Sequence, residues 1–510
     1  MRFRRSWSGR ILSGSLSAPS RSNPSTPFSN SPWKIRIEGS PPTRWDTSSR
    51  SGVPKWGGAR AGTVDPASDS AGKLSFRVQF RAPGPATFYP DYFDVLQPAV
   101  DFRVKKLPRF TEDGLGAPMR AYRENLLREP VEQHYPPEGI TREITAVIHP
   151  GKKSRGVQQV EIELRCALYY DEVVVSGKVE PLAADYSVAL ASLLEKAKRL
   201  KKSEVADLLT PSPARDFKLY LMEPYDPGKE PLIMIHGLLD SPLSWAELTN
   251  ELRSVDSIRS RYQIWHFLYN TSAPPLYAGR ILRTQFREMR KEFDPDGGDR
   301  AFQDVTLLTH SMGGLVARGL ITDPGDAFWK VGFTRPMSSL QLSAEDRATL
   351  EEAFLWKPVS AVGRVIFVCV PHRGSEFADN PIGRFGRSIV RPPNQFETFY
   401  RRISEANPGA FTEAYAELGE GKLDSVSSLS PQQPTLKILA DLPIGNHVRL
   451  HSIIANQGKE GPIEESSDGI VEYWSSHLPN VESEHIIGSG HSSLDHPETI
   501  EEVIRILKLP

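Results

Sequence analysis

Three residues far apart in the chain carry side chains that could together activate a hydroxyl group. Ser311 lies in the segment His310-Ser-Met-Gly-Gly314, and Asp468 and His491 follow it in that order. A serine hydroxyl is a weak nucleophile until a neighbouring base takes its proton, and a histidine oriented by a carboxylate can serve as that base. We therefore predict Ser311 as the nucleophile, His491 as the general base and Asp468 as the residue that orients His491.

The residues around Ser311 predict a strand, a sharp turn and a helix. An apolar run, Val305 to Leu308, precedes the serine, and a helical pattern extends from Gly314 to Ile321. This order approximates the G-x-S-x-G nucleophile elbow, in which a strained turn lifts the serine Oγ clear of the sheet. Thr309 stands in place of the first glycine, so a branched side chain has to fit a tight crossing. A Ser-Gly turn that begins an ordinary helix is the alternative interpretation.

A second turn could supply a donor for the negative oxygen that forms when a serine attacks a carbonyl. The apolar run Leu232 to Ile235 ends in His236-Gly237-Leu238. In proteins with a nucleophile elbow, one oxyanion donor comes from a loop at this location and the other from the residue after the serine. We predict the backbone N–H groups of Leu238 and Met312 as these donors, and we expect Gly237 to let the chain turn close to the substrate.

Other acidic and histidine residues near the end of the chain are alternatives for the same roles. Glu464, Glu465 and Glu472 are the alternatives to Asp468, and His485 and His496 are the alternatives to His491. His491 is preferred because its glycine-flanked loop can approach a nucleophile. Histidine and carboxylate spacings such as H-E-x-x-H are absent from the sequence, so we predict neither a catalytic metal nor a cofactor.

A further loop, Pro371 to Ser375, follows an apolar run and is expected at the rim of the same site. It contains Arg373, to which we assign no catalytic role; the alternative interpretation of this loop is a surface turn with a solvated arginine.

Strands and helices alternate from Phe217 onward. Apolar runs typical of strands buried on both faces lie at 232–235, 264–268, 305–308, 365–370, 448–454 and 485–487. Helical patterns lie between or after them at 245–253, 277–293, 314–321, 344–354 and 498–507. This alternation predicts an α/β fold with a mostly parallel sheet and right-handed crossovers. Asp468 and His491 then follow predicted strands, at the edge where such sheets bind ligands.

The predicted organisation has three parts. Residues 217–510 form the α/β domain, with long insertions at 322–360 and 374–443 that are expected to act as lids or caps. Residues 72–210 form a β-rich extension, because several segments alternate apolar and polar residues as half-buried antiparallel strands do. The extension ends in an amphipathic helix over Asp185 to Leu209, whose basic face is expected to be solvated.

Residues 1–71 are rich in Ser, Pro, Gly and Arg and contain no acidic residue before Glu38. This composition predicts a disordered segment. A targeting peptide and a misassigned start codon are the alternatives, although Ile11 and Leu12 are too few apolar residues for the core of a signal peptide. The localisation is left open between the cytoplasm and a bacterial cell envelope.

The overall composition limits the partners. The 510 residues carry a net charge of -1, which does not favour nucleic-acid binding. Apolar runs of the roughly 18 residues that a membrane span requires are absent, which leaves peripheral contact with a membrane open. The two cysteines, Cys166 and Cys369, lie in strand-like runs and are interpreted as buried thiols rather than a disulfide framework.

Several motifs together resemble a known family. HGLLDSP, RYQIWHFLYNT, THSMGGLVAR, RVIFVCVPHRGS and SDGIVEYWSSHLPNVESEHIIGSGHS occur in this order. They resemble the lipase-like bacterial α/β-hydrolases related to triacylglycerol lipases and GPI inositol-deacylase-like proteins. The resemblance implies an α/β-hydrolase fold and hydrolysis of carboxylic esters, with a lipid or a small ester as the substrate. It also implies an envelope location for many relatives, but no cysteine for a lipid anchor lies near residue 1.

Two other functions are compatible with these residues. An acyltransferase would form the same acyl-enzyme and pass the acyl group to an alcohol or amine instead of water. A binding module would keep the scaffold but have lost activity through the change at Thr309. The presence of all three candidate residues, Ser311, Asp468 and His491, disfavours the binding module. An esterase and an acyltransferase would use the same residues, and the predicted fold does not separate them.

Overall fold

A computed structural model describes residues 75–81, 87–154, 157–203, 217–379, 394–413, 415 and 427–510. The segment 1–71 lies outside the described residues, as do positions 204–209 of the predicted amphipathic helix and parts of the second insertion. Among the helices of the described residues, none is long and apolar enough to cross a membrane.

The first part of the chain is built mainly from strands. They are β1 Ser75–Arg81, β2 Thr87–Phe88, β3 Val95–Pro98, β4 Thr111–Glu112, β5 Ala117–Arg123, β6 Ile140–Ser154, β7 Val157–Cys166, β8 Glu172–Val175, β9 Lys178–Pro181 and β10 Ala184–Asp185. Six of them form one sheet in the order β1-β7-β6-β5-β3, with β2 also paired to β7. Helix α1, Val188–Ser203, packs against β5 and β6 of this sheet.

Two expectations for this region are corrected. Strand β1 pairs with β7 in parallel, whereas the alternating pattern was expected to give antiparallel strands. The prediction was wrong because alternation fixes which face is buried but not the direction of the neighbouring strand. In addition, α1 begins three residues later than predicted, since the Asp185 carboxylate accepts the backbone N–H groups of Ser187 and Val188 at 3.1 and 3.0 Å.

The larger sheet has seven strands. They are β11 Phe217–Leu221, β12 Glu230–Ile235, β13 Tyr262–Tyr269, β14 Val305–His310, β15 Val362–Val368, β16 Arg449–Ala455 and β17 Ser483–Ile487. Their order is β11-β13-β12-β14-β15-β16-β17, and all pairs are parallel except β11 with β13. The mostly parallel sheet agrees with the predicted alternation. The antiparallel edge strand β11 was not predicted, because its five residues are a short run and an apolar run does not give the direction of pairing.

Helices cover both faces of this sheet. They are α2 Ala246–Ser254, α3 Asp256–Arg259, α4 Pro275–Phe293, α5 Met312–Ile321, α6 Ala327–Gly332, α7 Ala344–Phe354, α8 Asn394–Ala406, α9 Pro434–Asp441, α10 Tyr473–Ser476 and α11 Pro497–Leu507. Residues that alternate along a strand enter different cores: Leu307 packs in the core with α4 and α5, and Leu308 in the core with α2, α3 and α11. Both cores together hold β14 between two layers.

A buried ion pair joins the two parts of the chain. Glu143 of β6 lies 2.6 Å from the guanidinium of Arg253 in α2, and their side chains are 1% and 4% exposed. Arg253 also donates to the backbone oxygen of Met222 at 3.0 Å. Lys229 contributes a second cation here, because its ammonium donates to the backbone oxygens of Leu168 and Arg259 at 2.9 and 2.8 Å. These contacts make the β-rich part an integral layer of the fold.

Replacing Arg253 with alanine should lower the free energy of unfolding by about 3–5 kcal/mol, because the Glu143 carboxylate would remain buried without its partner. Urea unfolding followed by tryptophan fluorescence measures this loss. The matched control is Lys357→Ala, which breaks the exposed 2.7 Å pair with Asp323 and should cost less than about 1 kcal/mol. Equal losses in the two variants would contradict the assignment of a buried interface.

Candidate active site

The turn between β14 and α5 holds Ser311 in an unusual backbone conformation. Its φ is +52° and its ψ is -128°, a combination that residues other than glycine rarely adopt. The backbone N–H of Ser311 donates to the oxygen of Val368 in β15 at 2.9 Å, so the neighbouring strand fixes the turn. This is the geometry of a nucleophile elbow.

Two glycines lie in close contact with the residues around this turn. A Cβ at Gly313 would lie under 3.0 Å from the carbonyl oxygens of Ile235 and His236. A Cβ at Gly237 would lie 3.0 Å from the Cβ of Ser311. Gly237 therefore lets the chain pass closely beside the serine, in addition to any approach to a substrate.

Thr309 occupies the position at which the elbow pattern has glycine, and its side chain fits there. The residue is fully buried in β14, and its Oγ1 donates to the carbonyl oxygen of Ile366 at 3.2 Å. The hydroxyl is thus satisfied, and the residue pairs with Ile235 of β12 and Phe367 of β15. The difficulty expected from a branched residue at this crossing does not distort the turn.

The structure brings Ser311, His491 and Asp468 into one chain of hydrogen bonds. The Nε2 of His491 lies 2.8 Å from the Oγ of Ser311, and its Nδ1 lies 2.7 Å from the Oδ2 of Asp468. The other carboxylate oxygen, Oδ1, accepts the backbone N–H groups of Ile470 and Val471 at 2.8 and 2.7 Å. With Nδ1 donating to the carboxylate, Nε2 has the lone pair that can accept the Ser311 proton.

The alternative residues lie elsewhere. Glu464 and Glu465 belong to a short 3-10 turn, and Glu472 precedes α10. His485 lies within β17, and His496 precedes α11. The residue that contacts His491 is Asp468, and the residue that contacts Ser311 is His491.

His310 is a member of this site for which the sequence suggested no role. Its Nε2 donates to the backbone oxygen of His491 at 2.9 Å, and the two rings are 5.0 Å apart. The backbone N–H of His491 donates in turn to the oxygen of Asp468 at 3.0 Å. Burial, and then the neighbouring His491, lower the pKa of His310 to about 4, so its ring is neutral near pH 7. His491 is therefore held by its ring and by both of its backbone groups.

The loop after β12 lies against the same serine. The Tyr269 hydroxyl donates to the oxygen of His236 at 2.7 Å, and the two rings stack at 4.4 Å. The backbone N–H of Leu239 donates to the Oγ1 of Thr271 at 3.2 Å. Among the residues that the structure describes, no acceptor pairs with the backbone N–H groups of Leu238 or Met312. Both groups therefore retain the hydrogen-bonding capacity that an oxyanion would need.

Arg373 connects two loops near the site, which excludes the alternative of a surface turn with a solvated arginine. Its guanidinium donates to the backbone oxygens of Trp474 and His477 at 2.9 and 2.6 Å. Its backbone N–H donates to the Oγ of Ser475 at 3.1 Å. Arg373 thus fixes the segment after Asp468 against the loop after β15.

A cavity of about 120 Å³ lies between the start of α4 and the two insertions. Its walls are mainly apolar and include Leu276, Phe328, Phe354, Leu436 and Leu439. Ser311, Asp468 and His491 do not line it. The cavity is therefore separate from the hydrogen-bonded chain.

The sheet and these contacts define a class: an α/β protein with a serine on a strained turn, bonded to a histidine–aspartate pair. Neither a protein-family model nor a curated protein matches the chain. Among solved structures, the chain is similar to a mature lipase of Bacillus licheniformis, at 17% identity over 57% of this chain and 98% of that one, with a TM-score of 0.33.

Two further structures are similar to the chain at the same level. A lipase of Staphylococcus hyicus has 14% identity over 56% of this chain and 94% of that one, with a TM-score of 0.31. Phospholipase PlaB of Legionella pneumophila has 14% identity over 55% of this chain and 60% of that one, with a TM-score of 0.34. Likeness this low carries no information on the reaction of this chain.

Replacing Gly313 with alanine should lower the free energy of unfolding by about 3 kcal/mol, because two backbone oxygens would have to move away from the new Cβ. Chemical denaturation measures the change. The control is Gly363→Ala in β15, where a Cβ would meet no atom within 4 Å and stability should be nearly unchanged. A Gly313→Ala variant as stable as Gly363→Ala would contradict the packing described for the turn.

The low pKa of His310 predicts a loss of stability in acid. Between about pH 6.5 and 4 the unfolded chain binds a proton at this ring and the folded chain does not, so stability falls as the pH falls. The variant His310→Gln keeps an amide donor but does not titrate. Between these pH values its free energy of unfolding should fall by less than that of wild type, with a difference of up to about 3 kcal/mol. Urea unfolding at a series of pH values measures it. The control is His485→Gln in β17, which should keep the pH dependence of wild type. Identical pH dependence in wild type and His310→Gln would refute the low pKa assigned to His310.

Proposed function

We propose that this protein is a serine hydrolase of the α/β-hydrolase class that cleaves carboxylic ester bonds through an acyl-enzyme. The observation that carries the proposal is the contact of Ser311 Oγ with His491 Nε2 at 2.8 Å, on a backbone turn with φ of +52°. A strained turn that presents a serine to a buried histidine–aspartate pair has a direct use in nucleophilic catalysis. A serine that only begins a helix would need neither partner.

The first half of the reaction forms the acyl-enzyme. Ser311 Oγ attacks the ester carbonyl while its proton passes to Nε2 of His491. Asp468 stabilises the resulting imidazolium, since its carboxylate is buried and accepts a hydrogen bond from the Nδ1–H of His491. The carbonyl oxygen becomes an oxyanion, for which we assign the N–H groups of Leu238 and Met312 as donors.

The second half releases the acid. His491 gives its proton to the departing alkoxide, and a water molecule then attacks the acyl-enzyme with His491 again acting as the base. Return of the proton to Ser311 restores the starting state. His491 thus takes part in every proton transfer of the two half-reactions.

The rim of the site favours an apolar ester. Leu239, next to the assigned donor Leu238, is 70% exposed, and Trp474, in the segment after Asp468, is 39% exposed. Exposed apolar side chains beside a catalytic site favour apolar ligands. A lipid or a small ester with an apolar acyl group is therefore the proposed substrate, and peripheral contact with a lipid surface is compatible with this rim.

Replacing Ser311 with alanine should abolish ester hydrolysis, because no other group can form the acyl-enzyme. The loss of the nucleophile is expected to lower kcat by a factor of about 10⁴ or more. The measurement uses p-nitrophenyl esters of increasing acyl length together with labelling by a fluorophosphonate probe. The chain-length profile also identifies the preferred acyl group.

Ser338→Ala is the matched control, since Ser338 is an exposed serine in the first insertion, and it should leave both rates unchanged. A Ser311→Ala variant that is still labelled at the wild-type rate would refute the proposed nucleophile.

A further inference from the structure

A thiol that the proposed reaction does not use lies beside the histidine–aspartate pair. Cys369 follows β15 at the same edge of the sheet, with a φ of +50° and 1% of its surface exposed. Its Sγ lies 3.5 Å from the Oγ of Ser493, two residues after His491. The backbone N–H of Cys369 donates to the oxygen of Ile453 at 2.9 Å, so the position of the thiol is fixed.

The thiol completes a set of three metal-ligating groups. One ligand atom each from Cys369, Asp468 and His491 lies within 4.8 Å of the others, and this is the one such group among the described residues. Thiolate, carboxylate and imidazole all bind Zn²⁺, at about 2.3, 2.0–2.2 and 2.0–2.1 Å respectively. Ligands at those distances around a tetrahedral ion are about 3.3–3.7 Å apart. Small side-chain movements would therefore convert the observed cluster into a coordination site.

The charges of the three groups favour a divalent ion. Asp468 contributes one negative charge, and Cys369 contributes a second when its proton leaves to solvent, which a bound metal ion drives. With neutral His491, the two negative charges balance one divalent cation. A buried site with no net charge avoids the cost of leaving an ion uncompensated.

We propose that Cys369, Asp468 and His491 form an inhibitory binding site for a thiophilic divalent cation such as Zn²⁺. The ion would take the Nδ1 lone pair of His491, whose proton exchanges through solvent to Nε2. Nε2 then carries a proton and cannot accept one from Ser311. The inhibition rests on the proposed function, whereas binding of the ion does not.

The softness of the thiolate sets the selectivity. Zn²⁺ and Co²⁺ bind thiolate and imidazole well, with Zn²⁺ the tighter of the two. Mg²⁺ prefers a full set of oxygen ligands and is not expected to bind. A site whose only protein ligand is the Asp468 carboxylate would instead prefer Mg²⁺ to Zn²⁺ and Co²⁺.

The test measures ester hydrolysis by the purified full chain, freed of metal by a chelator, against increasing Zn²⁺ with Mg²⁺ as the comparison. Binding is followed separately by the thiolate-to-cobalt absorption band on addition of Co²⁺. The variants are Cys369→Ser and Cys369→Ala, and the control is Cys166→Ser, which removes the other free cysteine in β7. Circular dichroism establishes that each variant is folded, and each rate is compared with that of the same variant without metal.

Wild type and Cys166→Ser should be inhibited alike and show the absorption band. Both Cys369 variants should lose the band and need roughly ten- to a hundred-fold more Zn²⁺ for half inhibition. Loss of a residue that hydrogen-bonds to a metal ligand already weakens metal affinity by this factor, and loss of the ligand itself should weaken it at least as much. Inhibition of the Cys369 variants at the wild-type Zn²⁺ concentration, or a wild type without the band, would overturn the site. A band that depends on Cys369 in a chain that hydrolyses no ester would uphold the metal site and reject the proposed function.

Discussion

The candidate site depends on the strained backbone of Ser311, at the point where the central strand of the larger sheet becomes a helix. A positive φ at a serine is unfavourable by itself, so the surroundings must impose it. Strands on both sides of β14 and two helical layers do so, and the N–H of Ser311 is bonded to Val368 in the next strand. Turning the chain this sharply directs the side chain toward the carboxyl edge of the sheet, where the loops after the other parallel strands converge.

The partners of Ser311 come from those loops, and backbone contacts position them. His491 is held through its ring, its N–H and its carbonyl oxygen, the last by His310 immediately before the serine. Because His310 and Ser311 are adjacent, a shift of the turn would move Ser311 and His491 together. Arg373 adds a second connection, between the loop after β15 and the segment that follows Asp468.

Much of this arrangement could be predicted from sequence because its signals are local. Continuous apolar runs marked the buried strands β12 to β17, and Asp185 marked the region where α1 begins. The hydrogen bonds of His491 to Ser311 and to Asp468 could be anticipated because all three residues follow strands of one parallel sheet. What could not be predicted depends on distant partners. The parallel pairing of β1 with β7, the hydrogen bond of His310 to the carbonyl of residue 491, and the approach of Cys369 to that site leave no periodic pattern in the chain.

The ion pair between β6 and α2 has a consequence for biosynthesis. Because the β-rich part precedes the larger sheet in the chain, Glu143 leaves the ribosome before Arg253 has been translated. During that interval water solvates the carboxylate, so Glu143 is not buried without a partner. The carboxylate loses its water only when α2 packs against β6 and brings the guanidinium of Arg253 to it. The desolvation cost of the ion pair is therefore met late in synthesis, when the compensating charge is already present.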